Sequence, residues 1–249
     1  MSAFLSETRM AWVAHRGASA DRPENTMAAF EEAVRQGADA IELDVRLSRD
    51  GEVVVIHDAT LARTAGADGH VWERSADELA RLDAGGWFDP RFRGEPVPRL
   101  ADVLARIAPR VPINVELKGK AGAGLARAVV DLVRSAEARE RVLVSSFRFA
   151  HLDELRALDA ELPIGLLYEE PPVTLDADAR RVGASFVHPR FDLATPALVA
   201  RARTLGLRVL VWTVDDPTVA NELIDRGVDG IISNRVAELR ARCAQSAAG

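Results

Sequence analysis

The feature that most restricts this chain is the regular alternation of short β-rich runs with amphipathic, alanine-rich stretches of helical period. The β-rich runs are AWVAH, AIELDV, EVVVIH, INVELK, RVLVSSF, IGLLY, SFVHP, RVLVWTV and DGIISN. Strands separated by helices imply a parallel sheet with crossover helices, and 249 residues of 48% hydrophobic content suffice for one large core. The expectation is a single domain over 1–249 with an eight-stranded (βα)8 TIM barrel fold, for which nine runs are one too many. Only VRLSRDG separates Asp44 from the third run, too little for a helical crossover, and Asp50-Gly51 is a tight-turn signal. Residues 41 to 57 are therefore read as a β-hairpin, and a two-residue turn at Asp50-Gly51 sets His57 directly across from Asp44. Asn25 is the expected cap of the helix TMAAFEEAVRQ, with Gly37 ending it and Gly206 and Gly227 ending later helices.

Residues 58 to 100 break the rhythm and read as an insertion folded over the active-site end of the barrel. It carries Trp72, Trp87, Phe88 and Phe92, which either wall a substrate pocket or fill the insertion's own core. The net charge of −6, with no basic run, argues against nucleic acid as a partner. No apolar run approaches the ~20 residues that cross a bilayer, and no basic amphipathic helix marks stable membrane anchoring. The start, MSAFLSETRMAWVAH, lacks the pattern of a secretory leader, so the expectation is a cytoplasmic protein. Cys243 is the one cysteine, which leaves no intrachain disulfide.

In a parallel barrel the strand C-termini converge on the face that carries chemistry. The first run ends in His15-Arg16, the second contains Glu42 and Asp44, the third ends in His57, the fourth contains Glu116 and Lys118, and the eighth reaches Trp212. Glu42 and Asp44 lie two apart, as do Glu116 and Lys118, so each pair shares one side of its strand. Three carboxylates converging at a half-buried mouth repel unless a cation neutralises them. Oxygen ligands favour Mg2+, Ca2+ or Mn2+ over zinc, with Glu42, Asp44 and Glu116 as the ligand set. Arg16 and Lys118 add fixed positive charge suited to a phosphate ester. His15 and His57 remain as proton-transfer groups, with a structural, hydrogen-bonded role as the alternative for each. Glu24 either belongs to the helix start or orients Arg16. Ser145, Phe147 and His188, at the ends of the fifth and seventh runs, are further substrate-contact candidates.

These motifs resemble the glycerophosphodiester phosphodiesterases across nearly the whole chain. The resemblance rests on AHRG at 14–17, PENT at 23–26, IELDVRLSRDG at 41–51, VVVIHD at 53–58, LDAGGWFDPRFRGEPVPRL at 82–100, VELK at 115–118, SSF at 145–147, VWTVDD at 211–216 and GVDGIISN at 227–234. It implies a metal-dependent barrel enzyme that hydrolyses glycerophosphodiesters to sn-glycerol 3-phosphate and an alcohol. His15 and His57 match the family's acid-base pair, Glu42, Asp44 and Glu116 its metal carboxylates, and Arg16 and Lys118 its phosphate-binding cations. Trp212 matches the residue lining the glycerol side. The family often has asparagine where this chain has Asp215, and aspartate where it has Asn234. The alternatives are a lysophospholipase D acting on lipids and a catalytically silent phosphate-ester-binding protein, whose signature would be a missing histidine or carboxylate.

Overall fold

The structure is a computed structural model that describes residues 4, 5, 10–120 and 122–246. Residues 1–3 and 6–9 of the stretch MSAFLSETRMAWVAH, and 247–249 at the other end of the 1–249 domain expectation, therefore lie outside the described residues. The strands are β1 (Ala11–His15), β2 (Ala40–Leu47), β3 (Val53–Val55), β4 (Ile113–Leu117), β5 (Val142–Ser146), β6 (Ile164–Tyr168), β7 (Phe186–Pro189), β8 (Arg208–Val211) and β9 (Gly230–Ser233). They run β1-β9-β8-β7-β6-β5-β4-β2-β3 around one sheet, and β1 also pairs with β2. Eight parallel strands thus close a barrel, and β3 hangs antiparallel on β2 outside it. The ninth run is the hairpin arm.

Each barrel strand leads to a helix: α1 (Met27–Arg35) follows β1, and the later ones are α4 (Leu100–Arg106), α5 (Leu125–Ser135), α6 (Phe149–Leu158), α7 (Leu175–Val182), α8 (Pro196–Thr204), α9 (Pro217–Asp225) and α10 (Val236–Ser246). Their apolar stripes pack on the outward strand residues in one large cluster that includes Ile41, Leu43, Val115, Val129 and Leu155. Alternate residues fill the barrel itself, where Ala11, Val13, Ala40, Leu143, Phe186, Leu210 and Ile232 form a separate cluster with Phe4 and Leu5. Phe4 meets Phe186 edge-to-face, with ring centres 5.7 Å apart. The barrel interior is thus apolar at this end and polar towards the mouth.

Two local expectations are corrected. The hairpin pairs Val45 with Val55 and Leu47 with Val53, one residue off the expected register. Three residues, Arg49, Asp50 and Gly51, form the turn, with Gly51 at φ 82°, a left-handed position at the end of the loop that adds one residue to the connection. Ser48 N–H bonds Glu52 O across it at 2.9 Å. Ile56, not His57, consequently faces Asp44, donating to its carbonyl at 2.9 Å. β3 ends at Val55, and His57 leaves the ladder with its carbonyl held by Arg46 Nε and Nη2 at 2.9 and 2.7 Å. Strand alternation no longer governs where that ring points.

The second correction concerns Asn25. Thr26 caps α1, accepting from Ala29 N–H at 3.2 Å, because Asn25 is engaged elsewhere. Gly37, Gly206 and Gly227 do follow their helices in left-handed conformations, as expected.

The insertion begins after His57 and ends where α4 starts at Leu100, with α2 (Ala62–Ala65), α3 (Ala76–Leu79) and single turns at Val71–Glu73 and Pro90–Phe92. Its core is aliphatic, built from Val54, Ile56, Leu61, Val71, Leu79 and Val97. Neither reading of its aromatics holds. Trp72 and Trp87 are exposed, Phe88 packs edge-to-face on both Trp87 and Phe92, Phe92 lies under Arg22, and none of the four lines the mouth cavity or belongs to the insertion's core. Glu95 accepts the Ala28 N–H of α1 at 3.0 Å, which ties the insertion to the mouth side of the barrel.

The loop after β1 turns on Gly17, at φ 84°, and a methyl group there would lie 2.7 Å from the Ala29 backbone. Gly17→Ala is expected to destabilise the fold by about 1 to 3 kcal/mol. A lower urea midpoint with unchanged slope is the predicted reading, and an unchanged midpoint would contradict the tight contact.

Candidate active site

Strand ends and the β1–α1 loop build one cavity of about 330 Å³ at the barrel mouth, lined by His15, Arg16, Glu42, His57, Glu116 and Lys118 among others. Phe147 and Trp212 form another part of its wall, edge-to-face with ring centres 5.3 Å apart. Of the candidates raised by the sequence, Glu24, Asp44, Ser145 and His188 do not border the cavity.

Adjacent strands place the three carboxylates together. Glu42 and Asp44 project inward from β2, and Asp44 pairs in register with Glu116 on β4. All three are buried, and one oxygen from each lies within 4.8 Å of the others. Burial, then the neighbouring Asp44 charge, pushes Glu116 up to about 7. Burial followed by Asp44 and Glu116 raises Glu42 well above the ordinary carboxylate range. Asp44 goes the other way: burial opposes its ionisation, but the charges of Lys118, Arg16 and His57 and the Asn25 hydrogen bond outweigh it. Lys118 Nζ lies 2.5 Å from Glu116 Oε1 and 3.2 Å from Asp44 Oδ1, while Arg16 Nε lies 3.2 Å from Asp44 Oδ2.

Two protein cations thus face three carboxylates, and Glu42 Oε1 is buried with no hydrogen-bond partner among the described residues. A divalent cation fits this set: hard carboxylate oxygens, one negative charge in excess, and an orphaned oxygen turned inward.

Asn25 explains the shape of the loop. It and Arg16 both adopt φ 56°, and Asn25 N–H donates to Arg16 O at 3.0 Å. Its amide Nδ2 donates to Asp44 Oδ2 at 2.9 Å, and its Oδ1 accepts from Asp44 N–H at 3.3 Å. Arg16 N–H donates to Glu42 Oε2 at 3.1 Å. The stretch from His15 to Thr26 is a clamp on two of the three carboxylates.

Each histidine is fixed at Nδ1. His15 Nδ1 is 2.8 Å from Asn234 Oδ1. Asn234 is itself oriented, since its Nδ2 donates to Asp215 Oδ2 at 2.6 Å. That leaves Oδ1 as the acceptor, places the proton on His15 Nδ1 and leaves Nε2 with the lone pair, 3.9 Å from Glu42 Oε2. His57 Nδ1 donates to Asp58 Oδ1 at 2.7 Å, which likewise leaves Nε2 as the free nitrogen. Burial, then Arg16, lowers His15 to about 4; burial, opposed by Asp44, also lowers His57.

The network closes through the insertion. Arg63 Nε donates to Asp58 Oδ2 at 2.6 Å, and Arg63 Nη1 and Nη2 reach Glu24 at 2.7 and 2.9 Å. Glu24 in turn accepts from Arg16 Nη1 at 2.8 Å, so it does orient Arg16. Sequence reasoning missed Asn25 as the Asp44 partner, Asp58, Arg63 and Asn234. The signal for Asn234 was present, since it and Asp215 are the two departures from the family pattern and here they bond each other.

Fold and site together define a βα barrel built for an anionic phosphate ester. The Glycerophosphoryl diester phosphodiesterase family profile matches residues 15–238. A glycerophosphodiester phosphodiesterase of Caldanaerobacter subterraneus is 38% identical over 225 residues, covering 89% of this chain and 93% of the relative. Among solved structures, an Oleispira antarctica phosphodiesterase in complex with the product sn-glycerol-3-phosphate superposes with a TM-score of 0.90 at 29% identity, covering 97% and 98% of the two chains. A glycerophosphodiester phosphodiesterase from Agrobacterium tumefaciens gives 0.84 at 34% identity over 93% and 99%. The chain belongs to the glycerophosphodiester phosphodiesterase family, and by class it is a phosphoric diester hydrolase.

Replacing Asn234 with alanine removes the acceptor that sets the His15 tautomer. The expected outcome in steady-state kinetics is a kcat lower by about 10- to 100-fold with KM little changed. An unchanged kcat would remove Asn234 from the account.

Proposed function

We propose that the protein hydrolyses glycerophosphodiesters such as glycerophosphocholine or glycerophosphoethanolamine to sn-glycerol 3-phosphate and the free alcohol, with a divalent cation and His15/His57 acid-base catalysis. The observation that carries this reading is the convergence, at one cavity, of two histidines held at Nδ1, two cations and Glu42 and Glu116, with Asp44 completing the buried carboxylate trio just behind its wall. Glu42, Asp44 and Glu116 would hold Mg2+, Ca2+ or Mn2+. When bound, such an ion neutralises non-bridging phosphate oxygens and the charge that develops on them. Arg16, braced by Glu24 and Asp44, and Lys118 bind the same phosphate from the protein side. Phe147 and Trp212 supply the apolar wall for the glycerol carbons.

The two histidines are not equivalent. His57 is backed by the Asp58 carboxylate and His15 by a neutral amide oxygen. A carboxylate stabilises an imidazolium more than an amide does, which supports His57 as the proton donor to the leaving alcohol and His15 as the base. The nucleophile is water, or the glycerol 2-hydroxyl by way of a cyclic phosphate that phosphorus NMR would detect in trapped reactions.

The lysophospholipase D reading finds little support, because the insertion's aromatics do not border the cavity, whose apolar wall is limited to a few side chains such as Phe147, Leu167 and Trp212. The silent-binding reading lacks its signature, since every expected histidine and carboxylate is in place. No helix among the described residues is long and apolar enough to cross a membrane.

Release of glycerol 3-phosphate is expected with Mg2+ or Ca2+, to stop with chelator, and to fall by about 100- to 10,000-fold in His15→Ala and His57→Ala. On a diester whose leaving group is p-nitrophenol, which needs no proton, His57→Ala should recover most of its rate while His15→Ala should not. Equal loss for both variants on both substrates would contradict the assigned roles. Turnover that survives chelation would contradict the metal dependence.

A further inference from the structure

At the inner side of the mouth cavity, which Asn114 lines with Glu42 and Glu116, the barrel interior carries polar side-chain atoms without a hydrogen-bond partner among the described residues. Ser145 and His188 are fully buried and Asn114 is 1% exposed. Ser145 Oγ, Asn114 Oδ1 and both ring nitrogens of His188 have no hydrogen-bond partner among the described residues. Buried polar atoms are almost always satisfied, by protein or by ordered water.

Register connects this layer to the carboxylates. Asn114 on β4 pairs with Glu42 on β2, and Ser145 on β5 pairs with Glu116 on β4. Ser145 pairs in turn with Gly165 on β6. A methyl group on Gly165 would lie 2.8 Å from His188 Cε1, 2.9 Å from Nε2 and 3.3 Å from Ser145 Cβ, so the missing side chain is what gives the imidazole its place beside Ser145. A strip of inward polar groups therefore runs from Glu42 and Glu116 through Asn114 and Ser145 to His188.

The chemistry of the strip identifies its ligand. Burial pushes the His188 imidazole down to about 3, so it is neutral, with one nitrogen donating and the other accepting. A serine hydroxyl also does both, and an amide oxygen accepts. Small, neutral, mixed donor and acceptor groups whose buried polar atoms lack a protein partner match water rather than an ion.

We propose that this layer binds ordered water linking His188, Ser145 and Asn114 to Glu42 and Glu116, and that His188 and Ser145 are positioning residues for cation binding. The second half rests on the reading of Glu42, Asp44 and Glu116 as cation ligands. Residues that orient ligating carboxylates from behind act on affinity without touching the ion.

The test is a high-resolution crystal structure of the whole protein, together with calorimetric Ca2+ titration of wild type, Ser145→Ala and His188→Phe. Ordered water bonded to His188 and Ser145 is expected. Both variants should melt close to wild type, since each removes one water-bonded group without touching a protein–protein hydrogen bond, while their Ca2+ Kd rises about 10-fold. A dry layer overturns the proposal, as does a normally melting variant whose Kd stays within about 2-fold of wild type. If either variant fails to fold, the wild-type density decides the water and the other variant decides the positioning role; if both fail, a positioning role separable from folding is overturned. A wild-type protein that holds the waters but binds neither Ca2+ nor Mg2+ fails the carboxylate reading instead, and with it the positioning role.

Discussion

Three carboxylates that share a buried space within 4.8 Å of one another set the terms for the rest of the mouth. Removing each from water costs several kcal/mol, and their mutual repulsion adds to that. The protein supplies two cations, Lys118 and Arg16, and both lean on Asp44. This makes Asp44 the firmly ionised member, while Glu42 and Glu116 hold protons more readily than ordinary glutamates. A divalent cation held there, as proposed, would turn the one negative charge in excess into one positive charge in excess, which suits a phosphodiester anion.

The local backbone follows from that demand. Arg16 and Asn25 both occupy left-handed conformations that cost energy for residues with side chains, and each is held by the groups it serves. Arg16 presents its N–H to Glu42 and its guanidinium to Asp44 and Glu24, while Asn25 grips Asp44 from the far side of the loop. Through Glu24, Arg63 and Asp58 the same network reaches His57, so the insertion is tied into the site by charge rather than by its aromatic residues.

Much of this was legible in the sequence, for physical reasons. Period-two and period-3.6 patterns gave all nine strands, and the short Asp50-Gly51 link exposed the odd one as a hairpin arm. Polar residues at strand ends, otherwise expensive in a barrel interior, pointed to His15, Glu42, Asp44, Glu116 and Lys118. What the residues did not reveal depends on tertiary geometry. Asn25 is chemically a good helix cap, and only the position of Asp44 draws it away to leave Thr26 with that task. One extra turn residue shifted the hairpin register, and the bend after Val55 then freed His57 from strand alternation. Trp72 and Trp87 were conspicuous in composition, yet aliphatic residues build the insertion's core. Ser145 and His188 stand at strand ends in the sequence, but their full burial follows only from the way the strands come into register.

The most direct measurement is the stoichiometry of divalent-cation binding to chelator-stripped protein, in wild type and in Asp44→Asn, with circular dichroism to verify folding. The account predicts one Mg2+ or Ca2+ per chain in wild type and a loss of affinity of at least about 100-fold in the variant, as befits removal of a direct charged ligand. Undiminished binding by a folded Asp44→Asn protein, or no binding by wild type, would contradict it.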